Sequence, residues 1–359
     1  MKPRIAVLTS GGDCPGLNAV LRGVVLAAEK LGWEVIGFRD GFEGLLPPGD
    51  YMVLDRHGTE RIMALGGTMI GTTNRGHFVA KVGAGNRAVV AADVIEKARQ
   101  VLQEARVDAL IIVGGDGSMT TALQLQEAGI NCVGVPKTID NDLEATAMTF
   151  GFDSAVAVVM DACDRLHTTA SSHKRAIVVE VMGRHAGWIA LHGGIAGGAD
   201  LILIPEIPFD FDKVAEAIRQ RDGAGNLSSL VVVAEGARPR DGQQIKQEAQ
   251  KEGEFRLGGI GDIVAREIAA RTGKETRTCV LGHLQRGGAP TTLDRILGTR
   301  FGVKAVQLIN ERHFGSMVSY QNYQVQHVSI AEAVNRLRLV PPDGEMVQTA
   351  RDVEITFGD

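Results

Sequence analysis

Leu110-Ile111-Ile112-Val113-Gly114-Gly115-Asp116-Gly117-Ser118 decides the architecture. The apolar residues Leu110 to Val113 have no polar face, so a strand built from them is buried on both sides. That is the habit of a parallel sheet covered by helices. The run stops in glycines, and Met119 to Glu127 then carries a helical pattern. A strand that ends in a glycine turn and restarts as a helix brings backbone N–H groups close to an anion such as phosphate. An acidic residue inside such a turn is poorly explained by anion binding alone, so Asp116 is read as a Mg2+ holder that shares the ion with phosphates. A purely structural turn is the competing reading.

The same alternation extends outward. Strands are expected at Ile5 to Leu8, Trp33 to Phe38, Ala109 to Val113 and Asn131 to Val135. Further strands are expected at Ala176 to Met182, Leu201 to Ile204, Leu230 to Ala234 and Thr278 to Leu281. Helices are expected at Leu17 to Leu31 and Ala91 to Arg106. The fold class is therefore α/β, doubly wound, with ligands beyond the carboxyl ends of the strands. The polar stretch Gly236 to Glu254 reads as a solvated loop and helix. The residues after Pro341-Pro342 lack a period and read as a loosely packed tail.

Composition narrows the function. The chain has 359 residues, 44% hydrophobic and 23% charged, which suits a folded protein of about two domains. A net charge of -5 argues against a general nucleic-acid binder. Cys14, Cys132, Cys163 and Cys279 have no CxxC spacing, so neither a zinc site nor a redox motif is suggested. No apolar run reaches the ~20 residues of a membrane helix. The expected setting is the cytoplasm, with no membrane and no nucleic acid as partner.

Three more groups carry chemistry. Thr9-Ser10-Gly11-Gly12-Asp13-Cys14-Pro15-Gly16 fits a phosphate loop and a tight βα turn equally well. Pro136-Lys137-Thr138-Ile139-Asp140-Asn141-Asp142 offers a general base with a second carboxylate to orient it or hold metal, or else an Asx-rich helix cap. Arg175, Arg184, Arg277 and Arg286 stand at the ends of apolar strands, where bidentate bonds to phosphate oxygens are natural. His283 reads as a core histidine, a phosphate contact or a sugar contact.

Taken together these motifs resemble the 6-phosphofructokinase family. Gly-Gly-Asp-Gly-Ser, Thr-Ile-Asp-Asn-Asp, Val-Met-Gly-Arg, Ala-Glu-Gly and Gly-His-Leu-Gln-Arg-Gly-Gly follow one another in the family's order. The resemblance implies phosphoryl transfer from Mg-ATP to the 1-hydroxyl of fructose 6-phosphate. It implies two doubly wound parallel-sheet domains with the active site in the cleft between them. Residues 1–151 and about 264–314 would form the nucleotide domain. Residues 152–263 and about 315–340 would form the sugar-phosphate domain, and 341–359 the tail. Asp140 would be the general base, supported by Asp142, with Thr138 on the transferred phosphoryl group and Arg184 assisting. Gly11, Gly12, Arg75, Gly115, Asp116, Gly117 and Ser118 would hold the nucleotide, with Asp116 on Mg2+. Thr138, Ile139, Asp140, Met182, Gly183, Arg184 and Glu235 would hold the sugar, and His283 and Arg286 its 6-phosphate. Arg175 and Arg277 would reach a neighbouring subunit's site, which implies a homotetramer or at least a dimer.

Two residues bear on the donor. Gly117 resembles the ATP users, whereas Lys137 resembles the pyrophosphate users. The expectation is ATP, because a blocked turn excludes ATP while an extra lysine does not. A pyrophosphate-dependent enzyme and a non-catalytic sugar-phosphate sensor are the alternatives. Arg22 and Arg56 match part of the family's effector cluster, but Leu26 and Asn226 to Ser229 stand where cations are expected. Altered or absent control by those effectors follows.

Overall fold

The computed structural model describes residues 2–78, 89–242, 246–247, 256–334 and 336–359. The chain divides into two units: 1–139, 143–154 and 286–337 form the first, and 140–142, 155–285 and 338–359 the second.

Unit 1 is built on β1 (Arg4–Thr9), β2 (Glu34–Phe38), β3 (Tyr51–Leu54), β4 (Ala109–Gly114), β5 (Cys132–Pro136), β12 (Ser316–Gln321) and β13 (Gln324–Ser329), in the order β13-β12-β5-β4-β1-β2-β3. The five central strands run parallel, and β3 and β13 are antiparallel edges. Every residue of β4 is buried, as its unbroken apolar run requires. Helices α1 (Leu17–Lys30), α2 (Ala92–Glu104), α3 (Asp116–Glu127), α8 (Thr292–Asn310) and α9 (Ile330–Ala333) accompany this sheet. Helices α1 and α8 pack backbone to backbone. A Cβ on Gly23 would lie 2.7 Å from the Thr299 carbonyl oxygen.

Unit 2 carries four parallel strands, β6 (Ala176–Val181), β7 (Leu201–Leu203), β8 (Ser229–Ala234) and β11 (Thr276–Val280), in the order β11-β6-β8-β7. Lys246–Gln247 (β9) and Arg256–Leu257 (β10) form a separate two-residue ladder. Its helices are α5 (Trp188–Ala196), α6 (Phe211–Gly223), α7 (Ile260–Thr272) and α10 (Glu345–Asp352), with α4 (Phe152–His173) entering from unit 1. Val178, Val231 and Val233 of the sheet pack with Val214 and Ile218 of α6 and Val264 and Ile268 of α7.

The α/β class and the strand positions agree with the sequence. Several expectations need correction. Residues 264–285 belong to unit 2, because β11 pairs with β6. Residues 315–337 belong to unit 1, because β12 pairs with β5. The segment after 341 is not loose: α10 forms, Phe357 is fully buried, and Thr356 bridges to the β7 edge at Leu201. Helix α3 starts at Asp116, three residues before the expected Met119, since Met119 N–H already bonds to Gly115 O at 2.9 Å. Residues 243–245 and 248–254 of the expected polar loop and helix lie outside the described residues; 246 and 247 are strand. Among the described residues, no helix is long and apolar enough to cross a membrane.

Candidate active site

In unit 1, β1, β4 and β5 are neighbours, and the segments leaving their carboxyl ends enclose a cavity of about 250 Å3. Ser10 to Gly12 after β1, Gly115 at the cap of α3 with Gly117 and Ser118 in its first turn, and Lys137 to Ile139 after β5 all line it. The strand ends are tied together there. Ser10 N–H bonds to Val113 O at 2.9 Å and Lys137 N–H to Gly114 O at 2.9 Å. Gly11 sits at φ 81, a backbone conformation that suits glycine, and its N–H bonds to Thr73 O at 3.0 Å. The positive end of the α3 dipole lies at this edge, where it favours an anion.

Among the described residues, the cations Arg75, Lys137 and Arg286 line the same cavity. Lys137 is 4% exposed, and its ammonium donates to the Gly12 carbonyl. Arg286 donates to Asp13 O at 3.1 Å. A Cβ on Gly12 would come within 2.9 Å of the Arg286 guanidinium carbon, so Gly12 is what lets that cation lie on the turn. The resemblance placed Arg286 on the sugar's 6-phosphate; here it lines the cavity of the glycine turns.

The lining also includes residues that the sequence did not single out. Phe42 and Phe78 stack with centroids 5.4 Å apart and an interplanar angle of 22°. Glu43 is fixed by His77, whose N–H donates at 2.7 Å and whose Nδ1 lies 2.9 Å from the carboxylate. Phenylalanines in an α/β chain look like core, and nothing in their spacing marks a pocket wall. Asp116 opens α3 between two lining glycines. Cys14 is fully buried, and burial pushes its thiol up to about 12, which removes it as a nucleophile at neutral pH.

Unit 2 gathers the residues expected on the sugar. Met182, Gly183 and Arg184 leave the carboxyl end of β6, and Glu235 leaves that of its neighbour β8. Glu235 N–H bonds to Val181 O at 2.8 Å and Gly236 N–H to Gly183 O at 3.0 Å. Gln285, buried, accepts the Met182 N–H at 3.2 Å. Exposed His283 lies in the 3-10 turn that follows β11. Asp140 to Asp142 belong to the same unit. Arg338 N–H bonds to Asp142 O at 2.9 Å, and its guanidinium covers the Trp188 ring at 4.5 Å from the centroid. Burial and then Arg184 push His185 below its ordinary value, while Asp142 opposes them. Arg338, beside Asp142 and Trp188, is a neighbour of these residues that the sequence did not reveal.

Arg175 and Arg277 stand elsewhere. Arg175 immediately precedes β6 and Arg277 is the second residue of β11, at the amino ends of strands whose carboxyl ends carry Met182 to Arg184 and His283. Six strand residues separate the two ends of β6, about 20 Å at the strand rise. Both arginines pair with Glu275, at 2.7 and 2.5 Å, and Arg175 first of all holds that carboxyl below its ordinary range. Arg56, expected in the effector cluster, is already bonded by Glu29 at 2.9 and 3.3 Å.

Comparison with known proteins bears on the family. The phosphofructokinase family model matches residues 4–309. An ATP-dependent 6-phosphofructokinase of Chloroflexus aggregans is 51% identical over 358 residues, covering 100% of this chain and 98% of that one. A pyrophosphate–fructose 6-phosphate 1-phosphotransferase of Amycolatopsis methanolica is 48% identical over 358 residues, covering 99% of this chain and 100% of that one. The T-state crystal structure of Pichia pastoris phosphofructokinase superposes with a TM-score of 0.82 at 31% identity. That match covers 99% of this chain but only 37% of the longer Pichia chain. A glycine-lined cavity with three cations and a family match across most of the sequence converge: this chain belongs to the phosphofructokinase family.

Proposed function

We propose that the chain is an ATP-dependent 6-phosphofructokinase, forming fructose 1,6-bisphosphate and ADP. The observation that carries the donor is that one cavity combines a phosphate cradle with a stacked aromatic pair. Gly11, Gly12 and the start of α3 suit the phosphates, while Phe42 and Phe78 suit a base. Pyrophosphate has no base to meet that wall. The second reading, pyrophosphate as donor, is favoured by Lys137, whose buried ammonium fits an inorganic leaving group.

Asp140 takes the proton of the sugar 1-hydroxyl as that oxygen attacks the γ-phosphorus. The bond from the γ-phosphorus to the ADP oxygen breaks, and Lys137, Arg75 and Arg286 offset the charge that develops. Thr138 contacts the moving phosphoryl group. Arg184 and Glu235 orient the sugar.

The donor set also fits Mg2+. Among the described residues no three His, Cys, Asp or Glu side chains gather as a self-sufficient cage. Asp116 offers one carboxylate beside the phosphate cradle, and Mg2+ is commonly held by one or two carboxylates plus substrate phosphates. Bound there, the ion neutralises phosphate charge.

A homo-oligomer is part of this reading. Arg175 and Arg277 lie at the wrong end of their strands to serve the sugar residues of their own chain, so they serve a neighbour's. Met160, Val280 and Leu284 of unit 2 are 38%, 56% and 67% exposed, apolar side chains of the kind a second copy would cover. The deciding assay is initial rate with fructose 6-phosphate and Mg2+, comparing ATP with pyrophosphate. A dominant pyrophosphate rate would keep the family and replace the donor. No rate with either would leave the sensor reading.

A further inference from the structure

Asp294, in the first turn of α8, has no exposed surface. Its Oδ2 accepts the Ser154 N–H at 2.8 Å and the Ser154 hydroxyl at 2.6 Å, while the buried Oδ1 has no full hydrogen bond and faces the Gly151 N–H. Ser154 Oγ in turn accepts the Thr291 N–H at 3.1 Å, and Thr291 Oγ1 donates to Asp153 at 2.5 Å. The first turns of α4 and α8 are thereby tied to each other.

The residues just before α4 pack against Lys137 and Thr138, which line the donor cavity. Thr149 Oγ1 donates to Thr138 O at 2.7 Å, and Phe150 forms a parallel bridge with Lys137. The Cys14 thiol donates to Phe150 O at 3.8 Å. Gly151, at φ 95, packs so closely that a Cβ would come 2.6 Å from Cys14 Sγ. One short segment therefore braces Lys137, Thr138 and the turn after β1, and one carboxylate anchors that segment.

We propose that Asp294 is a positioning residue for phosphoryl transfer, pinning residues 149–154 so that Lys137 and Thr138 stand correctly against the Gly11–Gly12 turn. The inference rests on the phosphofructokinase reading. An asparagine that keeps its carbonyl on the Ser154 donors places its amide nitrogen, itself a donor, where Oδ1 faces the Gly151 N–H. Burying the charge disfavours folding, so packing alone gives no reason for it. Placement does, because a displacement of about 1 Å can slow a reaction about 100-fold.

The test is Asp294→Asn, purified beside the wild type and measured with ATP and fructose 6-phosphate. The expected result is kcat about tenfold lower, both KM values within about threefold, and a melting temperature at pH 7 no lower than the wild type's. A kcat equal to the wild type's in folded protein overturns the proposal. So does a loss of rate that only follows a lower melting temperature. Thr149→Val tests the same brace without touching the carboxylate. It should lower kcat by about two- to tenfold at unchanged KM, and an unchanged kcat is equally fatal. A wild type that turns over with neither donor would remove the activity itself and this inference with it, which separates the two failures.

Discussion

Lys137→Met isolates what the buried ammonium does for the donor. The side chain is 4% exposed, lines the cavity and donates to the Gly12 carbonyl. Methionine keeps most of the length and the apolar character of the stem but not the charge. The ammonium's charge-assisted bond to a phosphate oxygen is worth about 1.5–3 kcal/mol, so kcat/KM for ATP should fall about 10- to 150-fold. Stability responds differently. Losing the bond to Gly12 disfavours the fold, while no longer burying a charge favours it. The melting temperature should therefore move by no more than about 2–4 °C. The assay is a donor titration at saturating fructose 6-phosphate, with a thermal melt on the same preparation. A variant within twofold of the wild type would refute the claim that Lys137 touches the donor.

Other consequences follow from the same geometry. Arg277→Ala and Asp140→Ala should each be nearly inactive, yet subunits mixed after dissociation should regain up to about a quarter of wild-type activity, because a hybrid of an isologous pair restores one site of two; no regain would place both residues in one chain's site. Gly236→Ala puts a Cβ 2.8 Å from Gly183 O. It should raise the KM for the sugar phosphate and cost about 1–3 kcal/mol of stability; an unaltered KM would show that the end of β6 does not hold the sugar. Burial lifts Asp294 from 3.8 to about 6, against the Ser154 bonds and the Gly151 N–H and with the help of neighbouring Asp153. The folded state thus keeps a proton that the unfolded chain gives up, and stability is lost as pH rises from about 4 through 6, roughly 3 kcal/mol in all. Asp294→Asn lacks that loss, so its stability relative to the wild type should climb across this window in urea melts; a flat difference would refute the assignment. With Arg56 engaged by Glu29 and Leu26 uncharged, ADP should activate little in titrations, and strong relief of sigmoidal kinetics would contradict this.

Much of the fold was legible because buried parallel strands need unbroken apolar runs, as at Leu110 to Val113. What pairs with what was not legible. The β12–β13 hairpin turns at Asn322-Tyr323, both at positive φ, 49 and 63. A tyrosine where Asn-Gly is the usual signal hides the turn. Without that pairing, residues 315–337 could not be assigned to the first sheet. The segment after 341 has no repeat, yet Val347, Ala350, Ile355 and Phe357 are buried, since a few anchors suffice to dock a short segment. The glycine turns were legible because close backbone approach admits few residues. Phe42, Phe78 and Arg338 were not, since each is ordinary in type and is brought to its site by tertiary contacts far along the chain.

The registry of the first sheet has a consequence for how the chain is made. Val133 on β5 has Ser316 of β12 as its lateral neighbour, and residues 140–142 and 155–285 of unit 2 are translated between them. At ~5–20 residues per second, β5 leaves the ribosome with one edge bare for roughly 10–40 s. An unpaired strand edge is a template for wrong partners. The nascent enzyme is most exposed to misassembly while its second unit is being synthesised, and a chaperone that shields β5 during that interval would raise the yield without touching the finished protein.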